Sequence, residues 1–234
     1  MNLNGKTLLI PDKADDERDA VARAWCEAGG EVMRLARFWE VSGLNKECVC
    51  LYGGSSFSLV VAQKLGLELI SPADDWLLHL DPKWLKRKIS GALLAEIHSI
   101  HFPAFVKPVV PKIFRSGVFN SAQELADECK GLAPDTRLLI GEVVRFEAEV
   151  RSFVTNQQIL HCQIYEGNAE IHDAENYLRS FLREVSLPVT CVIDIGFIPQ
   201  RGWAIVETNA SWGAGLNGCD ARRVLEAIAL ATKA

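Results

Sequence analysis

This chain of 234 residues lacks several features, and each absence removes a class of function. No run of about 18 apolar residues exists to cross a bilayer. The opening Met-Asn-Leu-Asn-Gly-Lys-Thr-Leu-Leu-Ile-Pro has too short an apolar stretch for a signal peptide. The seven cysteines (26, 48, 50, 129, 162, 191 and 219) are odd in number and show no Cys-x-x-Cys spacing. That argues against a disulfide framework and against a zinc site. Cys48, Cys50 and Cys191 stand in apolar stretches, as small buried hydrophobes do. The five histidines (His79, His98, His101, His161 and His172) have no metal-ligand spacing. Gly-x-Ser-x-Gly, Walker A and Gly-x-Gly-x-x-Gly are missing too, so a Ser or Cys nucleophile has no support. An excess of positive charge is also lacking. Lys plus Arg number 25 against 30 Asp plus Glu, a net charge of −5. Neither nucleic acid nor a membrane surface is therefore expected as a partner, and the expected location is cytoplasmic.

What remains is an ordinary globular composition, 49% hydrophobic and 24% charged, with enough chain for one large domain or two small ones. Residues 1–75 alternate strands and helices: strands at Lys6–Ile10, Glu31–Leu35, Cys48–Tyr52 and Leu67–Ile70, helices over Asp12–Ala28 and Phe57–Leu65. This β-α-β rhythm marks a small parallel α/β unit. From Asp81-Pro82 a basic helix is expected over Lys83–Ile89, then an α+β texture. It comprises a strand at Ala104–Lys107, an irregular loop from Pro108 to Gly117, a helix over Ser121–Lys130 and a strand at Arg137–Val143. An antiparallel pair at Phe146–Thr155 and Gln158–Tyr165 and a helix over Ala174–Glu184 follow, and a helix over Asn217–Lys233 ends the chain. The fold class is α/β plus α+β, with an N-terminal domain at 1–75 and a second domain at 76–234 whose two lobes each pair an antiparallel sheet with helices.

The most informative stretch is Cys191 to Asn209, two apolar strands joined by Pro199-Gln-Arg-Gly202, each carrying a carboxylate. If Ile198 pairs with Trp203, Asp194 falls opposite Glu207, where like charges roughly 4.5–5.5 Å apart destabilise a hairpin. Asn209 points to the same face because strand side chains alternate. Two acids and an amide oxygen are a ligand set for a hard divalent cation. The plainer alternative is that one acid faces solvent on a half-exposed sheet.

Upstream, Phe105-Val-Lys107-Pro108 sets a cation at the end of an apolar strand, either paired with a counter-charge or reaching water. The following loop adds Lys112 and Arg115 and bends at Gly117, as a cationic flap or a solvated loop would. Leu138–Gly141 runs into Glu142, and seven residues later comes Glu149, then Arg151. Alternation puts Glu147, Glu149 and Arg151 on one strand face.

Taken in order, Phe-Val-Lys107-Pro, the Lys112/Arg115 flap, Glu142…Glu149-x-Arg151, Asp194 and Glu207-Thr-Asn209 resemble the ATP-grasp superfamily. Within it they are most similar to the small clade named for two arginines and one lysine. The Trp76…Lys86-Arg87 segment adds to that likeness. The resemblance covers about residues 75–234, with residues 1–75 similar to the small α/β domain that precedes the grasp. It implies a two-lobed ATP-grasp fold with ATP and Mg²⁺ as cofactors. Lys107 and Lys112 would contact phosphates, and the Glu142, Val143 and Val144 backbone would hinge against adenine, with Glu142 taking its amino group. Glu149 would take the ribose hydroxyls, and Asp194, Glu207 and Asn209 would hold the metal. Arg151 and Arg115 would serve catalysis by neutralising the transferred phosphoryl group, and Ser211–Gly215 would shape the acceptor site. The implied activity is an ATP-dependent carboxylate–amine (or thiol) ligase working through an acyl phosphate on an amino acid or peptide. A nucleotide-binding module without turnover and another phosphotransferase stay open. The flap has Gly117 as its single glycine, and Thr208 stands where an apolar residue is common. The short N-terminal segment leaves the acceptor pocket either open or completed by another chain, as in a homodimer.

Overall fold

The computed structural model describes residues 1–36, 39–41 and 43–234. The chain begins β1 (Thr7–Pro11), α1 (Asp16–Glu27), β2 (Glu31–Leu35), β3 (Val49–Leu51), α2 (Ser55–Leu65) and β4 (Glu68–Leu69). It continues α3 (Pro82–Leu85), β5 (Ile89–Leu93), β6 (Ala104–Pro108), β7 (Gly117–Phe119), α4 (Ala122–Glu128) and β8 (Arg137–Gly141). It ends β9 (Ala148–Thr155), β10 (Gln158–Gly167), α5 (Ile171–Glu184), β11 (Thr190–Ile198), β12 (Gly202–Asn209), α6 (Ala221–Ala229) and β13 (Thr232–Lys233). Among the described residues no helix is long and apolar enough to cross a membrane. All seven cysteines are free thiols.

The chain divides into two compact units, and neither is a single continuous segment. The first holds Met1–Pro72, Ala148–Ile195 and Val206–Ala234. In it β1 lies between β2 and β3, paired parallel with both. Strand alternation sends Leu8, Ile10 and Cys50 to one face, with Trp25 of α1 and Val224, Leu225 and Ile228 of α6. Leu9, Val49 and Leu51 go to the other face, with Phe57 and Val61 of α2. The first of these cores also takes in Phe153 of β9 and Val192 of β11, so the four-stranded sheet β10-β9-β11-β12 shares it. The start of α1 is specified locally: the Asp15 carboxylate accepts the Arg18 N–H at 2.9 Å, and Asp16, Glu17 and Asp19 fill the first turn.

The second unit holds Ala73–Glu147 and Gly196–Ile205. Its sheet runs β5-β8-β6-β7, all neighbours antiparallel, over a core of Ile97, Val106, Phe119, Leu125 and Leu138. The tip of the β11–β12 hairpin belongs here. Arg87 donates through Nη1 to the Ile205 carbonyl at 2.7 Å and to Leu85 at 3.1 Å, and lies over the Phe146 ring. Phe146 fills the space a side chain at Gly196 would need.

Four local expectations are corrected. The helix expected over Lys83–Ile89 is one turn, Pro82–Leu85, because Lys86 turns left-handed at φ 51°; Ile89–Leu93 is instead the edge strand β5 on β8. The loop after Pro108 is irregular as expected, but Gly117–Phe119 forms β7 against β6. The strand expected over Leu67–Ile70 does not join the parallel sheet. Its core, β4, pairs antiparallel with the C-terminal β13. The last helix starts four residues late, at Ala221, because Asn217 and Gly218 adopt φ 46° and 82° and Asp220 caps the first turn.

A methyl at position 196 would run into the Phe146 ring. Gly196→Ala is expected to destabilise the protein by about 1–3 kcal/mol in urea unfolding, and Phe146→Leu in the same chain should recover part of that loss.

Candidate active site

The sheet order places β9 between β10 and β11, with β12 beyond, and the side chains of all four strands meet within the first unit. Arg151 of β9 grips Asp194 of β11 with two parallel bonds, Nε to Oδ1 at 2.9 Å and Nη2 to Oδ2 at 2.6 Å. Such a fork is the strong form of a charge-assisted bond. Asp194 is 2% exposed. Asn209 of β12 bridges the two acids: its Nδ2 donates to Glu207 Oε1 at 3.0 Å and, longer, to Asp194 Oδ2 at 3.4 Å. Asp194, Glu207 and Asn209 therefore converge, with Arg151 on the inner acid. Among the described residues no three His, Cys, Asp or Glu side chains form a metal cluster; this group is two acids and an amide.

Glu149, two residues before Arg151, accepts the Tyr165 hydroxyl at 2.6 Å, and the Tyr165 ring lies 5.9 Å from the Arg151 guanidinium. Burial pushes the Glu149 carboxyl above its ordinary value; the Tyr165 bond opposes this, and the charges of Glu166, Asp194 and Glu207 add to it. Burial likewise raises Asp194, with Arg151 pulling it back. For Arg151 burial acts downward, but the bond and charge of Asp194 outweigh it and the guanidinium stays protonated. Among the described residues bonded within this group, Glu149, Asp194 and Glu207 are the carboxyls and Arg151 the cation.

The segment after β12 is fastened at every step. Ser211 Oγ meets Thr190 Oγ1 at 2.8 Å, and Trp212 Nε1 donates to Ser71 Oγ at 3.1 Å. The Gly53 N–H reaches the Trp212 carbonyl at 2.9 Å, and the Tyr52 hydroxyl donates to the Ala214 carbonyl at 2.9 Å. Arg151 Nη1 donates to the Gly215 carbonyl at 2.9 Å. The Glu17 carboxylate then takes the N–H groups of Leu216 at 2.8 Å and Asn217 at 2.7 Å.

In the second unit, Glu142 directly follows β8 and its carboxylate is engaged twice, by Arg201 Nη2 at 2.8 Å and the Lys88 N–H at 3.0 Å. Those two bonds hold its pKa down at about 2. Arg201 also donates to the Lys86 carbonyl at 3.0 Å. Val143, exposed, and Val144, half-buried, follow in an irregular segment leading to β9. Lys107 lies in β6 opposite Leu139 of β8. Lys112 adopts φ 68° in the loop between β6 and β7. In the same loop the Arg115 backbone N–H donates to Glu128 Oε1 at 3.0 Å, and the side chain is exposed.

Reading the sequence strand by strand missed Tyr165, Arg201 and Glu17. Tyr165 is the extra residue of a bulge, since Ile164 pairs with Val150 and Glu166 with Glu149. A bulge re-aims a side chain that alternation would misplace. Arg201 lay in view inside the Pro-Gln-Arg-Gly turn, where its reach to Glu142 has no local signal.

Arg151→Ala would strand a buried carboxylate and is expected to destabilise by about 3–5 kcal/mol in denaturant unfolding, whereas Arg151→Met combined with Asp194→Leu should come close to neutral. For Glu142, a folded pKa below the unfolded value of 4.5 contributes stability above that pH and loses it as pH falls towards about 2. The melting-temperature difference between wild type and Arg201→Ala should therefore be full at neutral pH and fade through that acid window.

The family model for the ATP-grasp domain, family 2 of the clade named for two arginines and one lysine, matches residues 84–227, more than half of the chain. Among solved structures, the chain is similar to a RimK-domain ATP-grasp protein of Sphaerobacter thermophilus, at 13% identity and a TM-score of 0.64 over 95% of this chain and 99% of that one. It is similar to a carboxyaminoimidazole ribonucleotide synthase of Aspergillus clavatus complexed with ATP, at 12% and 0.61 over 99% and 80%. It also resembles a D-alanine–D-alanine ligase of Bacillus anthracis, at 11% and 0.50 over 95% of each chain. At such identities these likenesses concern the fold. Comparison with curated proteins returned no match. The mixed α/β architecture and the match over the segment that carries Glu149, Arg151, Asp194, Glu207 and Asn209 make this chain a member of the ATP-grasp superfamily, in its clade of two arginines and one lysine.

Proposed function

We propose that the protein is an ATP-dependent ligase that joins a carboxylate to an amine or thiol, the acid being an amino acid or peptide. The observation that carries this reading is the convergence of Asp194, Glu207 and Asn209 beside Arg151 in a chain of this superfamily. The donor set fits Mg²⁺: half a turn of the Asn209 amide replaces its NH₂ with oxygen, giving three hard oxygen ligands where negative charge exceeds positive. When bound, the metal supplies the charge that holds and neutralises the phosphate oxygens.

The chain's own residues divide the remaining work. The main chain of Glu142–Val144 receives adenine; Glu142 takes the amino group through its carbonyl, because its carboxylate is held by Arg201 and Lys88. Glu149 receives the ribose hydroxyls, while Lys107 and Lys112 bind phosphates. The bonds of Arg151 to Asp194 and Gly215 use three of its five N–H groups, which leaves two for the transferred phosphoryl oxygens. Arg115 adds charge to the same group. A substrate carboxylate oxygen attacks the γ-phosphorus as the bond to ADP breaks. The amine nitrogen then attacks the acyl carbon, inorganic phosphate leaves, and the amine loses a proton to solvent. Ser211–Gly215 shapes the acceptor side.

Mg·ATP is expected to raise the melting temperature, since a ligand present at 100 times its Kd adds about 2.7 kcal/mol to a folded state that alone binds it. ADP release should follow with some member of a carboxylate and amine panel, and Glu207→Gln should lower it about 100-fold with the fold kept. Binding without ADP release would mark a nucleotide-binding module, and a stable phosphorylated product a phosphotransferase. No thermal response to Mg·ATP would defeat the reading altogether.

A further inference from the structure

A single peptide group links α1 to the arginine of the site. The carbonyl of Gly215 accepts Arg151 Nη1–H at 2.9 Å, and the N–H of the same peptide, at Leu216, donates to Glu17 Oε2 at 2.8 Å. Because the peptide is planar and trans, the two ends point in opposite directions and turn together. A carboxylate sits at its positive end and a guanidinium at its negative end, so each bond polarises and strengthens the other. The second Glu17 oxygen takes the Asn217 N–H at 2.7 Å, which stops the peptide plane from rotating about the first bond. Gly215 makes this approach possible: a Cβ there would lie 2.6 Å from Glu17 Oε2. The left-handed Asn217 and Gly218 then turn the chain away towards α6.

We infer that Glu17 is a positioning residue for Arg151, acting through the Gly215–Leu216 peptide. The inference rests on the proposed role of Arg151 at the transferred phosphoryl group. Asp194 alone is an inadequate anchor for that task. Asp194 would also be a ligand of the proposed cation, so its oxygens would be shared between the metal and the guanidinium. The Gly215 carbonyl carries no such second duty. It holds the guanidinium through the reaction as long as Glu17 holds the peptide. Thus α1, outside the matched segment 84–227, contributes to the site without touching substrate.

The test follows the Arg151 guanidinium directly, by hydrogen exchange of its Nη1 protons in the full-length protein measured by NMR. Two variants attack the link differently: Glu17→Gln opposes an amide NH₂ to one of the two backbone donors, and Gly215→Ala pushes the intact Glu17 carboxylate aside. In both, exchange at Arg151 Nη1 is expected to quicken about tenfold, the factor that one charge-assisted hydrogen bond supplies, while Arg34 and Arg222 keep their rates. ADP release should lose about tenfold in kcat with KM for ATP within about twofold, the pattern of an interaction that acts in the transition state. Exchange at Arg151 within about twofold of wild type in both variants, with the Leu216 and Asn217 amides newly exposed, would overturn the inference. A wild-type protein that releases no ADP would remove the proposed function and leave the exchange result to decide the role of Glu17.

Discussion

A guanidinium laid flat on a buried carboxylate organises the first unit. Taking Asp194 and Arg151 out of water is expensive unless both are satisfied, and a partly satisfied pair is worse than an apolar one. That requirement reaches outwards. Asp194 needs β11 beside β9 in register to meet the fork, and Arg151 needs a third acceptor, which the Gly215 carbonyl provides. Gly215 in turn must be held, and besides Thr190 and Arg151 the groups that hold its loop are Glu17, Tyr52, Gly53 and Ser71, all from the first 72 residues. The shared core of α1, α6, Phe153 and Val192 supplies the rigidity this geometry needs.

Charge imbalance is the second organising fact. Glu149 feels the charges of Glu166, Asp194 and Glu207, Asp194 feels that of Glu207, and Arg151 is bonded to Asp194 beside them. The Tyr165 hydroxyl and the Asn209 amide soften the repulsion by donating to Glu149 and Glu207, but neither brings charge. On the proposed reading, a field of this kind would favour a ligand that carries a dication in with it. Glu142 differs, because Arg201 and the Lys88 N–H match it fully.

The acidic hairpin was legible because period-two alternation and a Pro-Gln-Arg-Gly turn leave little freedom in how Asp194, Glu207 and Asn209 face. The parallel strands β1 and β3 were legible for a similar reason: each is a short apolar run bounded by glycine or charge, whereas β2, Glu31-Val-Met-Arg-Leu35, follows the Gly29-Gly30 break that ends the first helix. Elsewhere the local signal misled. Lys83–Ile89 has helical composition, yet hydrogen bonding to β8 draws its end into a strand. Leu67–Ile70 looks like one more parallel strand, but its partner lies at the far end of the chain. Tyr165 escaped because a bulge breaks the alternation on which the reading depends.

Composition, periodicity and turn chemistry by themselves determined the α/β opening, the antiparallel pairs and the acids sharing one strand face, since each depends on neighbours a few residues apart. Tertiary structure alone decided that Arg151 would lie on Asp194, that Arg201 would claim Glu142, and that Glu17 would hold amides 200 residues away. Those choices depend on which strands and helices become neighbours in space, and a side chain's distant partner leaves no mark on its own local sequence.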